Sequence, residues 1–411
     1  MLVRFRCTFL FIVLFYVIVH GNYEGNSKLP IIFVYTVVPA VCKYGLPEYI
    51  KISLEQAIFT QPDSDVIMAS NYADCDVIAK TVSEVPGLIQ IDTTKIASNY
   101  TTQFANLSTA VFSSDYAGEL WITSALRFFI LEDIMISNNY KELLHVEADN
   151  TLYGRISSIL PVLRADYPLA VTPLTANKFM MTASVFWVSS VEALHHFNGY
   201  MMDMVQNNSV VYKEYLGWMR RYACCKKGGV DPDQNGNGIK PYAINEMSML
   251  ANYNRIYPDL LRLLPVAPVY DSYVKRRPYC DVSQFAPGGT EVGAATGRGI
   301  WDPNSWGQHI GGTSRKKGRD KGFVDGSHIA GQAMILAKCA IHMMCGNQTV
   351  SPYAESTPNI IQKTPEGCYT APFVRCGEES PWTPLWNLHV HSKHTQDYRS
   401  VACPCPDAQL Q

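Results

Sequence analysis

Leu143-Leu144-His145-Val146-Glu147-Ala148-Asp149-Asn150 is an apolar run that leads straight into two carboxylates one residue apart. Read as a strand, it alternates its faces, so Glu147 and Asp149 point the same way. Two carboxylates on one face repel each other, and burying them unpaired is costly. A divalent cation beside them removes that cost. Hard oxygen ligands suit magnesium or manganese, which in turn hold phosphates. The plain alternative is a strand end capped by solvated acids before a turn.

The chain upstream frames this run. Residues 29–38 are apolar and β-branched and read as a first strand. Residues 46–61 have helical spacing. A turn follows at Pro62-Asp63-Ser64-Asp65, and 66–69 read as a second buried strand. That is a β-α-β opening, the pattern of a parallel sheet covered by helices. Residues 115–137 have helical period and deliver the chain to the 143–150 strand. Downstream, 169–172 and 181–188 read as strands, and 190–205 and 246–264 as helices. Residues 276–328 are rich in Gly, Pro and Arg and read as long loops. No internal repeat or low-complexity segment interrupts this order.

A second strand-like run lies near the other end: Trp386-Asn387-Leu388-His389-Val390-His391-Ser392-Lys393-His394. As a strand it sets His389, His391 and Lys393 on one face. An imidazole adds a nitrogen ligand to an oxygen-bound metal, and a lysine two residues on neutralises a diphosphate as a point charge. A half-exposed strand with no ligand role is the alternative for the histidines alone. Together the two runs fit one metal–diphosphate site.

These residues resemble a GT-A fold nucleotide-sugar glycosyltransferase, with an Asp-x-Asp-like acid motif and a late Leu-His-x-His-Ser-Lys motif. Four segments carry the resemblance: Leu126 through Asn150, Asn245-Glu246-Met247, Trp301-Asp302 through Gly311-Gly312, and Asn387 through Lys393. They implicate most of the chain. Glu147 stands where the commoner pattern has aspartate, which ranks Asp149 ahead of it as a metal ligand. The resemblance implies an α/β fold of GT-A type, a Rossmann-like mixed sheet flanked by helices in a single catalytic domain over 29–400.

It also implies roles. Asp149 and Glu147 would hold Mn2+ or Mg2+, with His391 or His389 completing the shell; the spacing does not choose between the histidines, though His391 lies nearer Lys393. Lys393 would hold the diphosphate. Arg127 would reach the donor, or serve as a surface arginine in an ion pair. Glu246, at a helix start after Asn245, would act as the base of an inverting transfer, its pKa lowered by the helix N-terminus; the alternative is an ordinary first-turn acid. Asp302 and Gln308 would bind hydroxyls, with Trp301 and Trp306 stacking on a sugar face, or they would form a glycine-rich turn with two core tryptophans. The implied partners are a nucleotide-diphosphate sugar donor and a glycan, glycoprotein or glycolipid acceptor. Two rival functions remain: a secreted metallohydrolase using the His/Asp cluster, and a non-catalytic secreted binding protein.

Composition sets the bounds. Of the 411 residues, 47% are apolar, enough for a full core, and the net charge of −2 gives no reason to expect a nucleic-acid partner. The basic run Arg315 to Lys321 reads as a solvated loop or as a lid over an anionic donor. Asp231 to Gly238 copies the first half of a calcium loop, but Tyr242 stands where the bidentate glutamate belongs, so a tight turn is expected. Arg4 and Arg6 flank an apolar run from Cys7 to Val19, within a 1–21 segment that reads as a signal peptide or a signal anchor. Residues 22–28 form a short stem and 401–411 a C-terminal tail. Beyond Cys7 eleven cysteines remain, and Asn-x-Ser/Thr acceptors occur at Asn99, Asn106, Asn207 and Asn347. Both features fit the lumen of the secretory pathway or secretion, and the resemblance implies the Golgi, with the N-terminal segment as a single-pass anchor.

Overall fold

Strand β1 (Leu29–Val34) runs through the centre of the protein because its side chains are apolar on both faces: Ile31 and Phe33 enter one core and Ile32 the other. The computed structural model describes residues 28–36, 42, 44–112, 118–175, 179–206, 209–226, 245–267, 299–312, 322, 324–346, 368–376, 382–390 and 393–403. His391, the 1–21 segment, nearly all of the stem, the calcium-like loop, the 315–321 run, Asn207, Asn347 and the tail beyond Cys403 lie outside the described residues.

The strands that follow are β2 (Ser64–Ser70), β3 (Ile89–Asp92), β4 (Leu143–Val146), β5 (Asn150–Leu152), β6 (Leu169–Pro173), β7 (Met181–Val188) and β8 (Leu261–Leu263). Seven of them form one sheet in the order β3-β2-β1-β4-β7-β6-β8. β1 is parallel to β2 and β4, and β2 to β3, while β7 runs antiparallel to both β4 and β6. This is the expected mixed α/β sheet flanked by helices. Helices Asn99–Val111, Gly118–Asn138, Val191–Val205, Val210–Lys226 and Glu246–Ile256 pack on one face, around Phe128, Phe129, Phe197 and Tyr253. Helices Glu48–Thr60, Asp76–Ser83 and Leu160–Asp166 pack on the other, with Leu144, Val146 and Trp187.

A second sheet comprises β9 (Cys339–Gly346), β10 (Cys368–Cys376), β11 (Thr383–Pro384) and β13 (Ala402–Cys403); β12 (Asn387–His389) pairs separately with β5. Cys339 and Cys376 face each other across β9 and β10 and form a disulfide, and Cys42–Cys75 forms another.

Three expected elements are shorter than their sequence pattern. The 143–150 strand stops at Val146, where Asn150 N–H turns back to the Glu147 carbonyl at 3.0 Å and β5 leaves for a different partner. The 246–264 helix stops at Ile256 because Pro258 lacks an N–H and disfavours a helical residue before it; β8 takes over. Among the described residues of the 386–394 run, the strand covers Asn387 to His389. The 276–328 stretch, expected to be loop, contains a short helix, Ser305–Gly311.

Trp386 is clamped where this C-terminal segment meets the body. A Cβ added at Gly154 or at Gly299 would collide with its ring. Gly154→Ala is therefore expected to destabilise the fold by about 1–3 kcal/mol, the usual cost of overpacking a filled core. Urea denaturation of the two proteins measures it, and an unchanged midpoint would refute the clamp.

Candidate active site

The sheet places its own crevice. From β1 the chain moves outward to β2 and β3, then returns to β4 on the other side of β1. Ligands of open α/β sheets bind outside the carboxyl ends of the strands at such a reversal. Glu147 and Asp149 follow β4 at that end. Strand alternation does not bring them together, since the strand has already stopped; the turn between β4 and β5 does.

The histidine arrives by sheet pairing. β5 and β12 are antiparallel, with His389 opposite Asn150, and Val390 N–H donates to the Asp149 carbonyl at 2.9 Å. His389 Nε2 lies 3.1 Å from Asp149 Oδ2, and Nδ1 lies 3.7 Å from Glu147 Oε2. One ligand atom from each of Glu147, Asp149 and His389 fits within 4.8 Å of the others. Lys393 reaches Asp149 Oδ2 as well, by a turn rather than by continuing a strand face: its N–H donates to the Val390 carbonyl at 2.8 Å and its φ is 64°.

Arg127 closes the cluster from the Gly118–Asn138 helix. Its Nη1 donates to Glu147 Oε1 at 2.5 Å and its Nη2 lies 3.6 Å from Glu246 Oε1. It is buried, so the surface-arginine alternative fails. Below it, His145 Nδ1 bonds the Ile32 carbonyl at 2.9 Å, and burial together with the Arg127 charge pushes this imidazole down to about 3.

The charges hold one another. Burial alone would raise the Asp149 carboxyl; His389 and Lys393 outweigh it and hold it well below the usual carboxylate range. Burial acts the same way on Glu147, and Arg127 and His389 bring it down. For His389 burial opposes the charged ring, but Asp149 raises its pKa above the ordinary value. Glu246 departs from expectation. Its helix starts after Asn245 as expected, and Asn245 caps it, accepting from Ser248 N–H at 2.9 Å. Yet the Glu246 carboxyl is raised to about 7, because desolvation exceeds what Arg127 and the helix N–H groups give back.

Asp302 and its neighbours follow the second of their two readings, the turn with two core tryptophans. Asp302 is fully buried. Its Oδ1 accepts from Asn304 N–H at 2.9 Å and Trp306 N–H at 3.0 Å, and its Oδ2 from Gly307 N–H at 2.7 Å and His389 N–H at 2.9 Å. It starts the Ser305–Gly311 helix and ties that helix to β12. Trp301 and Trp306 are core residues, 2% and 0% exposed, so neither offers a face to a sugar. Gln308 is buried on the same short helix. The structure thus gathers Arg127, Glu147, Asp149, Glu246, His389 and Lys393, and leaves Asp302 in support.

The sequence reading gave no role to Asn150, Ser184 or Gly307. Asn387 Nδ2 donates to Asn150 Oδ1 at 2.6 Å and to the Asp302 carbonyl at 3.1 Å; Asn150 Nδ2 donates to the Ser184 carbonyl at 3.2 Å. A Cβ on Gly307 would strike the His389 carbonyl, so only glycine lets the helix approach β12 this closely. Asparagines flanking both acid and histidine motifs were the available signal.

No protein-family model matches the chain, and no curated protein matches it. Among solved structures it is similar to mouse xyloside xylosyltransferase 1 in its apo form, at 9% identity over 58% of this chain and 85% of that one, with a TM-score of 0.34. It is similar to the galactosyltransferase LgtC in complex with donor and acceptor sugar analogs, at 10% identity over 64% and 84%, TM-score 0.32. It is also similar to the mannosyltransferase Ktr4p from S. cerevisiae, at 10% identity over 53% of each chain, TM-score 0.26. At TM-scores this low the likenesses carry no argument, and the roles assigned below rest on the geometry of the site itself.

Glu246 supplies a pH test. Its carboxyl moves from 4.5 to about 7 on folding, so the proton favours the folded state. The stability this contributes is complete below about 4.5 and is lost as pH rises through about 7. Glu246→Gln cannot ionise. Its unfolding free energy relative to the parent is expected to rise by roughly 3 kcal/mol across that window, read from urea titrations at its two ends. A difference that does not move with pH would refute the raised carboxyl.

Proposed function

We propose that the chain is a metal-dependent glycosyltransferase of GT-A type that moves a sugar from a nucleotide-diphosphate donor to a glycan, glycoprotein or glycolipid acceptor. The observation that carries this is the convergence of Glu147, Asp149, His389 and Lys393 at the carboxyl end of the central strand. The donor set suits Mn2+ or Mg2+: two hard carboxylates and one imidazole, mutually close, with Asp149 and His389 buried and Glu147 partly so, in a cluster that recruits cations to balance it. A divalent ion bound there would neutralise the charge that gathers on the leaving diphosphate.

The chain's own residues divide the remaining work. Lys393 holds the diphosphate as a point charge. Arg127 fixes Glu147 and faces Glu246. Its Nε and Nη2, and Glu246 Oε2, are buried without a hydrogen-bond partner. Buried polar atoms in that state are costly unless a ligand completes them, and sugar hydroxyls supply both donors and acceptors. If the transfer inverts the anomeric centre, Glu246 takes the acceptor's proton, and a carboxyl near 7 is well matched to that task at neutral pH.

A secretory location, in the Golgi membrane or outside the cell, is part of the same reading. It is supported by the Cys42–Cys75 and Cys339–Cys376 disulfides and by Asn99 and Asn106, which are exposed seven residues apart along one helix. Among the described residues no helix is long and apolar enough to cross a membrane; in this reading the 1–21 segment delivers or anchors the chain.

The test is thermal unfolding with each common nucleoside diphosphate, with and without manganese. One of them is expected to raise the melting temperature only with the metal, by a stabilisation of about 2.7 kcal/mol at a hundredfold excess over Kd. Asp149→Ala is expected to abolish that rise while remaining folded. A metallohydrolase would be stabilised by metal alone and be indifferent to the nucleotide. A non-catalytic binding protein would be indifferent to both.

A further inference from the structure

The site carries its own cation. Lys393 Nζ is paired with Asp149 Oδ2, the same oxygen that His389 Nε2 approaches at 3.1 Å. The lysine is held there by backbone as well as by charge. Its φ of 64° lies in the left-handed region, which residues with a side chain seldom adopt, and the turn is closed by its N–H on the Val390 carbonyl. Its ammonium also sits over the Tyr49 ring, 5.2 Å from the centroid. Even so, its side chain is 39% exposed while that of Asp149 is 10% exposed, so the lysine occupies the solvent side of the carboxylate.

Resting on the reading of this site as a metal–diphosphate centre, we propose that Lys393 is a resident counter-ion that competes with the metal for Asp149 and yields it when a diphosphate arrives. An ammonium and a divalent cation on one carboxylate oxygen repel each other strongly. Before the metal can use Asp149, Lys393 must swing away, and with no anion outside it would exchange a half-buried ion pair for water. A diphosphate at the crevice gives the ammonium a second partner, and the long flexible stem lets it move between the two. Metal and nucleotide diphosphate then assist each other, and by linkage the assistance is reciprocal. Metal alone binds weakly, which keeps the cluster intact between turnovers.

The experiment is manganese binding without any nucleotide, followed by loss of the free-ion electron paramagnetic resonance signal, with melting temperature recorded for each variant. Lys393→Gln removes the competitor and is expected to bind manganese roughly tenfold or more tightly than the parent, within the usual range of site coupling. Lys393→Arg keeps the charge and is expected to stay near the parent. If Asp149→Ala abolishes manganese binding but Lys393→Gln binds no tighter than the parent, the counter-ion role is overturned and the metal site stands. If no variant binds manganese, both fall. A second measurement uses the unaltered protein. Amine labelling of Lys393, read by peptide mass spectrometry, is expected to rise on saturation with manganese alone; labelling that does not change also overturns the proposal.

Discussion

Asp149 is a buried negative charge and Glu147, one residue apart from it, is partly buried, and a protein does not tolerate such a pair without compensation. The compensating groups come from two distant parts of the chain. Arg127 is carried by a long helix, His389 by a two-strand ladder, and Lys393 by a left-handed turn just beyond it. The pairing holds Arg127 and Lys393 against the acid turn, so the cluster couples the sheet, the helical layer and the C-terminal segment.

What holds His389 in place is a layer of neutral polar groups behind it. Asn387 bridges Asn150 and Asp302, Asn150 reaches Ser184 on β7, and Asp302 binds the His389 backbone and the Ser305–Gly311 helix. Each of these bonds is fully inside the protein, where hydrogen bonds are strong and unmade ones expensive. The imidazole is thus oriented from its main chain, independently of what its ring binds.

Much of this was legible in residue order. Strands of β-branched residues separated by helical periods announced the parallel part of the sheet, and β7 ran from Met181 to Val188 as its pattern said. Both acid and histidine runs were recognisable because few structures tolerate such residues beside buried apolar ones. The logic behind their meeting was not legible. Alternation along one strand suggested that Glu147 and Asp149 share a face; a turn puts them together instead. The β9–β10 sheet was missed because its strands mix Cys, His, Pro and Arg and are paired across a long insertion. The raised carboxyl of Glu246 was read with the wrong sign, since sequence shows the helix start beside it but not the depth at which it is buried.

The contact between Lys393 and Asp149 spans 244 positions of sequence, and this bears on the making of the protein. A chain emerging from the ribosome completes β4 and the acid turn long before β12 exists. During that interval β5 is without its strand partner and the two carboxylates have only Arg127 for company. Long-range pairings of this kind form late and slowly. A growing chain of this protein would therefore carry the acid turn without its histidine and lysine until β12 and the turn after it have been made.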